Sequence, residues 1–418
     1  MRPGGFRRVY QAGVRDDAGR VLAGTEVMHL VSHRGRLYAA LSSARNVPLP
    51  GDPEVGAQII VCDRQDGGWR ADREYDVEHW RITLESVTFT RDGHGRTLVA
   101  PTQLLLAGPS DKRGDVYVDS RDDDTGAWTR MHLGSSSGRG VGSTRSFYVY
   151  QDKVTGDERV FAGTLQLGIC SGVYDPDAPG KIRWAKEPEL TGYTRRAMGF
   201  AECNGSLYVT IKPDIYRRVD GERPRWEKIY TISEPLIAIS SGLRGLRAVP
   251  RASGAGQVLI AALEGDRCRV LRIDPDDGFR ETVELDVLEF LAQHWGRRPT
   301  FATVAYDDFT PVTAPRDGEP LLFAGLGATY STALETHPPD AWVDDAWYVV
   351  RHADGRYDLR RVAPDLDPAL PLVATRSIAV SPFDPGVLYF GGYDPNAKPA
   401  RHTAWVFAAS VDAVLDDR

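Results

Sequence analysis

One polar or charged position recurs in seven segments of the chain, each time followed by a mostly small residue and then an apolar one. The residues at this position are Glu26, Glu85, Arg145, Arg196, Arg244, Thr300 and Arg376. Guanidinium groups match the oxygen atoms of carboxylates and phosphates with paired hydrogen bonds and stay charged when partly desolvated. If the four arginines converge, they are expected to form, together with Thr300, a binding site for a small anion.

The two glutamates at this position are the candidate catalytic residues. A carboxylate surrounded by arginines has a depressed pKa, whereas a neighbouring carboxylate can hold a shared proton. Glu26 or Glu85 is therefore predicted to act as the acid or base. A second interpretation stays open, in which the seven side chains pair with one another and plug the axis as a structural ion-pair ring.

Four further side chains are predicted to lie on the same face as this ring and to contact the ligand. They are Tyr193, Lys212, Tyr393 and His402. Lys212 is the best candidate of the four because lysine is rare in this chain. Each could instead be an ordinary loop residue, and Lys212 could be a surface charge.

A repeated strand predicts the scaffold that would bring these segments together. Similar four-residue apolar runs occur at residues 37–40, 98–101, 160–163, 207–210, 259–262, 322–325 and 388–391. Successive copies start 47 to 66 residues apart, which is typical of four-stranded propeller blades joined by loops of uneven length. The repeat predicts an all-β fold, a single seven-bladed β-propeller with four antiparallel strands per blade.

We predict one domain over residues 1–418, because an isolated blade cannot bury both of its faces. The predicted blades are residues 26–78, 84–134, 144–190, 195–233, 243–285, 300–363, and 375–410 with 5–12. The last repeat supplies only three strands, and residues 6–10 combine aromatic residues with arginine as the fourth strands do. The N-terminal strand is therefore predicted to complete the last blade and to remove its open edge.

Tight turns rich in Asp and Gly precede an aromatic residue in most repeats, as in residues 120–128. This turn, together with the hairpin of residues 381–391, resembles the Asp-box (BNR-repeat) propellers, whose turn reads Ser-x-Asp-x-Gly-x-x-Trp. That group includes sialidases, sortilin-type receptors and photosystem assembly factors. The resemblance implies the fold, and it allows either a glycosidase-like hydrolase or a module that docks a protein during assembly.

Loop lengths predict which face carries the site. The loops between second and third strands are long in four repeats, so the charged ring is expected at the mouth of the axis on that face. Turns on the opposite face are short, except for residues 307–319. Residues 285–295 have apolar side chains at helical spacing and predict a short helix, which would either pack on the core or form a lid.

Composition argues against several classes of function. A net charge of -7 and a pI of about 5.8 leave no basic surface for nucleic acid. The four cysteines are scattered singly and the nine histidines do not recur at matching positions, so neither a metal nor another cofactor is predicted. The absence of an apolar leader or span predicts a cytoplasmic protein without a membrane partner. Only 7 of the 51 basic residues are lysine, which suggests a GC-rich bacterial genome.

The leading hypothesis is a metal-free enzyme that binds a small metabolite carrying a carboxylate or phosphate in an axial pocket. Acid/base chemistry in that pocket would make it a lyase, an isomerase or cyclase, or a hydrolase. The alternatives are a non-catalytic propeller that docks a protein partner and a glycosidase-like hydrolase of the Asp-box type.

Overall fold

The computed structural model describes residues 5–44, 54–135, 140–193, 195–237, 240, 242–252, 254–331, 341–363, 372–397 and 400–416. These residues form 29 β-strands and two short α-helices. The long loops predicted within residues 42–57, 327–345 and 393–401 lie partly outside the described residues.

Strand β1 (Arg7–Gln11) is followed by five four-stranded antiparallel sheets in chain order. Sheet one comprises β2 (Glu26–His33), β3 (Arg36–Ser42), β4 (Gln58–Cys62) and β5 (Trp69–Glu74). Sheet two comprises β6 (His79–Arg91), β7 (Thr97–Asp111), β8 (Asp115–Arg121) and β9 (Trp128–Ser135). Sheet three comprises β10 (Ser143–Gln151), β11 (Glu158–Leu165), β12 (Ile169–Tyr174) and β13 (Ile182–Trp184). Sheet four comprises β14 (Ala197–Cys203), β15 (Ser206–Ile211), β16 (Asp214–Val219) and β17 (Arg225–Thr231). Sheet five comprises β18 (Leu243–Pro250), β19 (Gln257–Leu263), β20 (Arg269–Asp274) and β21 (Arg280–Asp286).

The rest of the chain forms one nine-stranded sheet. Its first group of strands is β22 (Phe301–Val304), β23 (Thr310–Thr313), β24 (Pro320–Thr329), β25 (Trp347–Arg351) and β26 (Tyr357–Arg361). Its second group is β27 (Ala374–Val380), β28 (Val387–Tyr393) and β29 (Trp405–Ser410), with β1 paired to β29. A single parallel bridge between Trp347 and Ala374 joins the two groups. Successive antiparallel sheets of this kind are consistent with a β-propeller.

The core lies between neighbouring sheets. Six of the seven predicted apolar repeats lie on strands β3, β11, β15, β19, β24 and β28, and nearly all of their residues are buried because neighbouring sheets pack against them. Between sheets one and two, for example, Tyr38 and Ile59 pack with Ile82 and Leu105. Apolar residues on both sides of a strand are therefore typical of this fold, and strict alternation is not required.

In sheet two the position of the predicted repeat is wrong. Residues 98–101 belong to an extension of the hairpin formed by β6 and β7, where Val99 is fully exposed. The central segment that pairs with β8 is instead residues 105–107, and Leu105, Leu106 and Ala107 are buried. Both segments are apolar, so local composition does not distinguish a buried strand from its exposed extension.

The predicted helix is α1 (Val287–Trp295). The Asp286 side chain accepts a hydrogen bond from the backbone N–H of Glu289, and Gly296 ends the helix in the left-handed conformation. Val287, Leu288 and Leu291 are fully buried. The helix packs on the core of sheet five. A second helix, α2 (Val411–Asp416), follows β29, and no helix among the described residues is long and apolar enough to cross a membrane.

The N-terminal strand bonds to the last strand of the chain, as the sequence predicts. Phe6 packs edge-on against Phe390 at 5.3 Å between ring centroids, and the buried Tyr10 hydroxyl donates to the carbonyl of Leu22. The first strands of sheet one and of the second group, β2 and β27, also lie next to each other: the Leu30 N–H donates to Ser377 Oγ at 2.9 Å. The two ends of the chain are thus held together through β1.

Deletion of residues 1–12 is expected to destabilise the protein by more than about 4 kcal/mol, because it removes the buried Tyr10 and the partly buried Phe6 and exposes the edge of β29. Urea unfolding would measure the loss. The substitution Val14→Ala, at an exposed side chain just after β1, is the control and should leave the midpoint unchanged. An unchanged midpoint in the deletion variant would show that β1 does not stabilise the last sheet.

Candidate functional site

The first strands of the sheets lie next to one another. Strand β2 contacts β6 and β27, β10 contacts β6 and β14, and β14 contacts β18. A cavity of about 610 Å³ lies between β6, β10, β14 and β18 and the segment that follows β22. Among the ring residues predicted from the sequence, Glu85 and Arg145 line this cavity.

The cavity does not lie where loop length placed the site. Its lining continues along the inner strands to Val149, Glu202 and Gln257, where first strands turn into second strands. It therefore extends toward the short-turn face, whereas the prediction placed the site on the long-loop face. Arg145 lies near the start of β10, at the end of the cavity lining that is farthest from these short turns.

The predicted positions also do not share one register of the inner strands. Arg145 and Arg376 are the unpaired residues of β-bulges in β10 and β27. Arg244 is a paired residue just before the irregularity of β18, Glu26 is paired at the start of β2, and Arg196 precedes β14. The single-register alignment is wrong because a bulge adds one residue to a strand and re-aims its side chain.

Two of the four predicted arginines form buried ion pairs. Arg376 Nη1 bonds to Glu26 Oε1, and Arg376 Nη2 lies 3.8 Å from Asp307 Oδ1. Although burial works against the charge, Glu26 and Asp307 hold the pKa of Arg376 above its usual value. Arg244 Nη2 donates to Glu264 Oε1 at 3.0 Å. Glu264 follows an ordinary buried strand, and no sequence signal distinguished it.

The side chains of the other two predicted arginines, Arg145 and Arg196, make no hydrogen bond or ion pair within the described part of the chain. Arg145 is only 8% exposed, and its Nε is buried without a partner. Burial, followed by the charges of Arg196, Arg376 and Arg244, lowers the pKa of Arg145 well below its usual value. Burial and the nearby Arg81 lower the pKa of Arg196 to about 10. Both side chains would be stabilised by a bound anion.

The two predicted glutamates have different surroundings. Glu26 is buried and bonded to Arg376, so it neutralises an arginine. Glu85 lines the cavity and is exposed to solvent there. Desolvation by the surrounding cavity walls, together with the charge of Asp308, raises the pKa of Glu85 to about 8. Glu85 can therefore change its protonation state near neutral pH.

A second carboxylate in the cavity was not predicted. Asp307 lies in the segment between β22 and β23, and burial raises its pKa to about 6 although Arg376 and Arg145 oppose the shift. Its Oδ2 lies 3.7 Å from Nδ1 of His29, which also lines the cavity. Burial and the charge of Arg145 lower the pKa of His29 well below its usual value, so its ring is neutral at pH 7. The sequence signal that could have identified Asp307 was the unusual length of the turn at residues 307–319.

The backbone explains how Asp307 reaches the cavity. Ala305, directly after β22, is fully buried with a φ of 51°, a left-handed conformation that is unfavourable for alanine. Gly245 leaves the space that this turn needs, since a Cβ on it would lie 2.6 Å from the Ala305 Cβ. The chain thereby leaves the sheet early, and the Tyr306 carbonyl accepts a hydrogen bond from Arg244 Nη1 at 2.8 Å.

The remaining predicted site residues do not line the cavity. The Thr300 hydroxyl donates to the carbonyl of Thr329 at 3.0 Å, so it holds backbone. Tyr393 is buried beneath the site, with its hydroxyl 3.5 Å from that of Tyr306. The side chain of Tyr193 packs against the hydrophobic cluster around sheet four.

Lys212 and His402 lie in turns away from the cavity. Lys212 has a φ of 51°, and its carbonyl accepts from the Leu243 N–H, while burial and Arg195 lower the pKa of its amine. The His402 carbonyl accepts from Gln11 Nε2 at 2.9 Å, which holds the N-terminal strand. No group of three or more His, Cys, Asp or Glu side chains in a metal-binding arrangement occurs among the described residues.

No protein-family model matches the chain, and no curated protein is detectably similar to it. Solved structures with similar folds include the α-L-arabinofuranosidase Arb93A from Fusarium graminearum (11% identity, 99% of each chain covered, TM-score 0.46). They also include the NanB sialidase from Streptococcus pneumoniae (11% identity, 98% of this chain and 71% of that chain covered, TM-score 0.44). A third is Sqt1 from Saccharomyces cerevisiae (8% identity, 94% and 83% covered, TM-score 0.46). What the site can do is inferred below from its own residues.

Because the folded protein holds a proton on Glu85 up to about pH 8, whereas an unfolded chain releases it near pH 4.5, stability should fall as pH rises between these values. The substitution Glu85→Gln removes this dependence. The melting temperature of the variant minus that of the natural chain is therefore expected to increase from pH 5 to pH 8.5. Glu222→Gln, at an exposed turn, is the control and should show no trend. A constant difference at Glu85 would mean that the carboxylate is ionised throughout.

Proposed function

We propose that the chain binds a small anionic ligand, carrying a carboxylate or a phosphate, in the cavity between its inner strands. The observation that carries the proposal is the state of Arg145, a buried cavity-lining guanidinium without a hydrogen-bond or ion-pair partner in the described part of the chain. Burying an unpaired charge costs several kcal/mol unless a partner offsets it. A ligand anion is the partner that the site lacks.

We further propose that the cavity carries out metal-free acid/base chemistry on this ligand. Glu85 and Asp307 line it with pKa values of about 8 and about 6, on either side of neutrality. Groups with such values exchange protons efficiently at physiological pH. Hydrolysis, elimination and isomerisation all use proton transfer of this kind. Glu26, which the sequence offered as the alternative catalyst, is assigned instead to holding Arg376.

The scaffold we propose is a seven-bladed propeller. The five separate sheets and the two groups of the nine-stranded sheet would be its blades, with β1 completing the last one. Two buried pairs, Arg376 with Glu26 and Arg244 with Glu264, would close the axis below the cavity. The ring predicted from sequence would then be partly an ion-pair plug and partly a binding site.

Thermal melts and calorimetric titrations with malate and with inorganic phosphate test the proposal, with ionic strength held constant by potassium chloride. We expect both anions to raise the melting temperature of the natural chain, and Arg145→Gln to abolish the effect. Arg196→Gln should weaken binding. Arg280→Gln, at an exposed ion pair with Asp277, is the matched control and should bind normally. Undiminished binding by Arg145→Gln would overturn the proposal.

A further inference from the structure

Asp307 is a largely enclosed carboxylate, with 14% of its side chain exposed, that makes no hydrogen bond in the described structure. The basic side chains within 4 Å of it among the described residues are His29, with Nδ1 at 3.7 Å, and Arg376, with Nη2 at 3.8 Å, both beyond hydrogen-bond length. Its Oδ2 is shielded from solvent and has no partner. Buried polar groups in native proteins are nearly always bonded, so a donor is missing here.

The position of Asp307 is held firmly. The left-handed turn at Ala305 starts the segment, and Arg244 fixes the carbonyl of Tyr306. On the other side, Asp308 accepts from Arg247 Nη1 at 2.9 Å and from the N–H of Phe309 at 2.7 Å. Rearrangement of the segment would break these contacts, so the carboxylate cannot easily move to find a donor within the protein.

The positive charge around Asp307 indicates which kind of ligand group could donate a hydrogen bond to it. Arg376, Arg145 and Arg244 all act on Asp307 electrostatically. A cationic ammonium group on a ligand would be repelled by these three guanidinium groups, whereas a hydroxyl group would not. A neutral O–H donor therefore suits the Asp307 carboxylate best.

Building on the proposed anion site at Arg145, we infer that the ligand is a hydroxylated anion whose carboxylate or phosphate binds Arg145 and whose hydroxyl donates to Asp307. Asp307 is then the residue that distinguishes hydroxy acids from their deoxy counterparts. The His29 ring, neutral at pH 7, limits the cationic charge beside it. A site built around a buried acceptor rejects ligands that lack the matching donor, because the acceptor is left unpaired.

The test compares ligands that differ by hydroxyl groups: malate with succinate, and glycerol 3-phosphate with propyl phosphate. Affinities are measured by calorimetry for the natural chain and for Asp307→Ala, Asp307→Asn and the control Asp266→Asn, which lies at an exposed turn. We expect the natural chain and the control to prefer the hydroxylated member by about tenfold or more. In Asp307→Ala the preference should fall to near one, and in Asp307→Asn, which keeps one acceptor oxygen, it should be intermediate.

Circular dichroism and thermal melts first show whether the variants are folded. If Asp307→Ala is unfolded, the ligand preference of Asp307→Asn, which keeps the shape of the side chain, decides the test. Equal binding of both members by the natural chain, with both lost in Arg145→Gln, would overturn the inference and leave the anion site standing. Preference for the hydroxyl that survives in a folded Asp307 variant would also overturn it. If no member binds the natural chain, or if Arg145→Gln binds them normally, the proposed function fails and the inference with it.

Discussion

Arg145→Met is expected to stabilise the ligand-free protein by about 1–3 kcal/mol while abolishing its response to anions. The natural side chain holds a guanidinium in a buried position without a partner in the described structure, and methionine removes the desolvation cost while replacing the aliphatic part of the arginine. Urea unfolding without ligand, and again with malate, would measure both effects. A site kept for binding at the expense of stability behaves in this way.

The control for Arg145 is Arg280→Met, which removes a guanidinium from an exposed ion pair and should change stability by less than about 0.5 kcal/mol. Ligand stabilises the natural chain by an amount that grows with its concentration relative to the dissociation constant, and this increment should vanish in Arg145→Met. If the methionine variant were less stable than the natural chain, the guanidinium would have a stabilising role that its contacts do not show.

Breaking the pair between Arg376 and Glu26 is expected to have the largest cost in the site. Arg376→Met should destabilise the protein by about 3–5 kcal/mol, because it removes the guanidinium that bonds to the buried Glu26 carboxylate and lies near Asp307. The double variant Arg376→Met with Glu26→Gln should recover most of the loss, since it leaves no uncompensated charge at Glu26. A double-mutant cycle by urea unfolding measures the coupling.

The same cycle on the exposed pair of Arg280 and Asp277 is the comparison, with an expected coupling below about 1 kcal/mol. A coupling of that size for Arg376 and Glu26 would contradict the role given to them here. It would mean that other groups around the site carry the charge of Arg376, and that the plug beneath the cavity is not built from this pair.

The site was predicted in part. Arginines on inner strands were expected to surround a ligand, and Arg145 does line a cavity, with Glu85 near it. The sequence could not show which of these arginines form ion pairs and which remain for a ligand, because ion pairing depends on which carboxylate lies within a few ångströms. Arg244 bonds to Glu264, a residue that no repeat or motif had marked. Asp307 went unassigned because its position depends on the turn at Ala305, which no propensity for alanine would predict.

Local pattern alone determined the all-β architecture, six of the seven repeated strands and the short helix α1, because strand and helix periodicities are properties of neighbouring residues. The pairing of β1 with β29 followed from the count of strands in the last repeat. Tertiary structure decided everything that depends on register. The bulges at Arg145 and Arg376 displace side chains that looked equivalent, and the cavity extends toward the short-turn face rather than the long-loop face. Whether an arginine is paired or left for a ligand is likewise set by distance across the axis, between residues as far apart in the chain as Glu26 and Arg376.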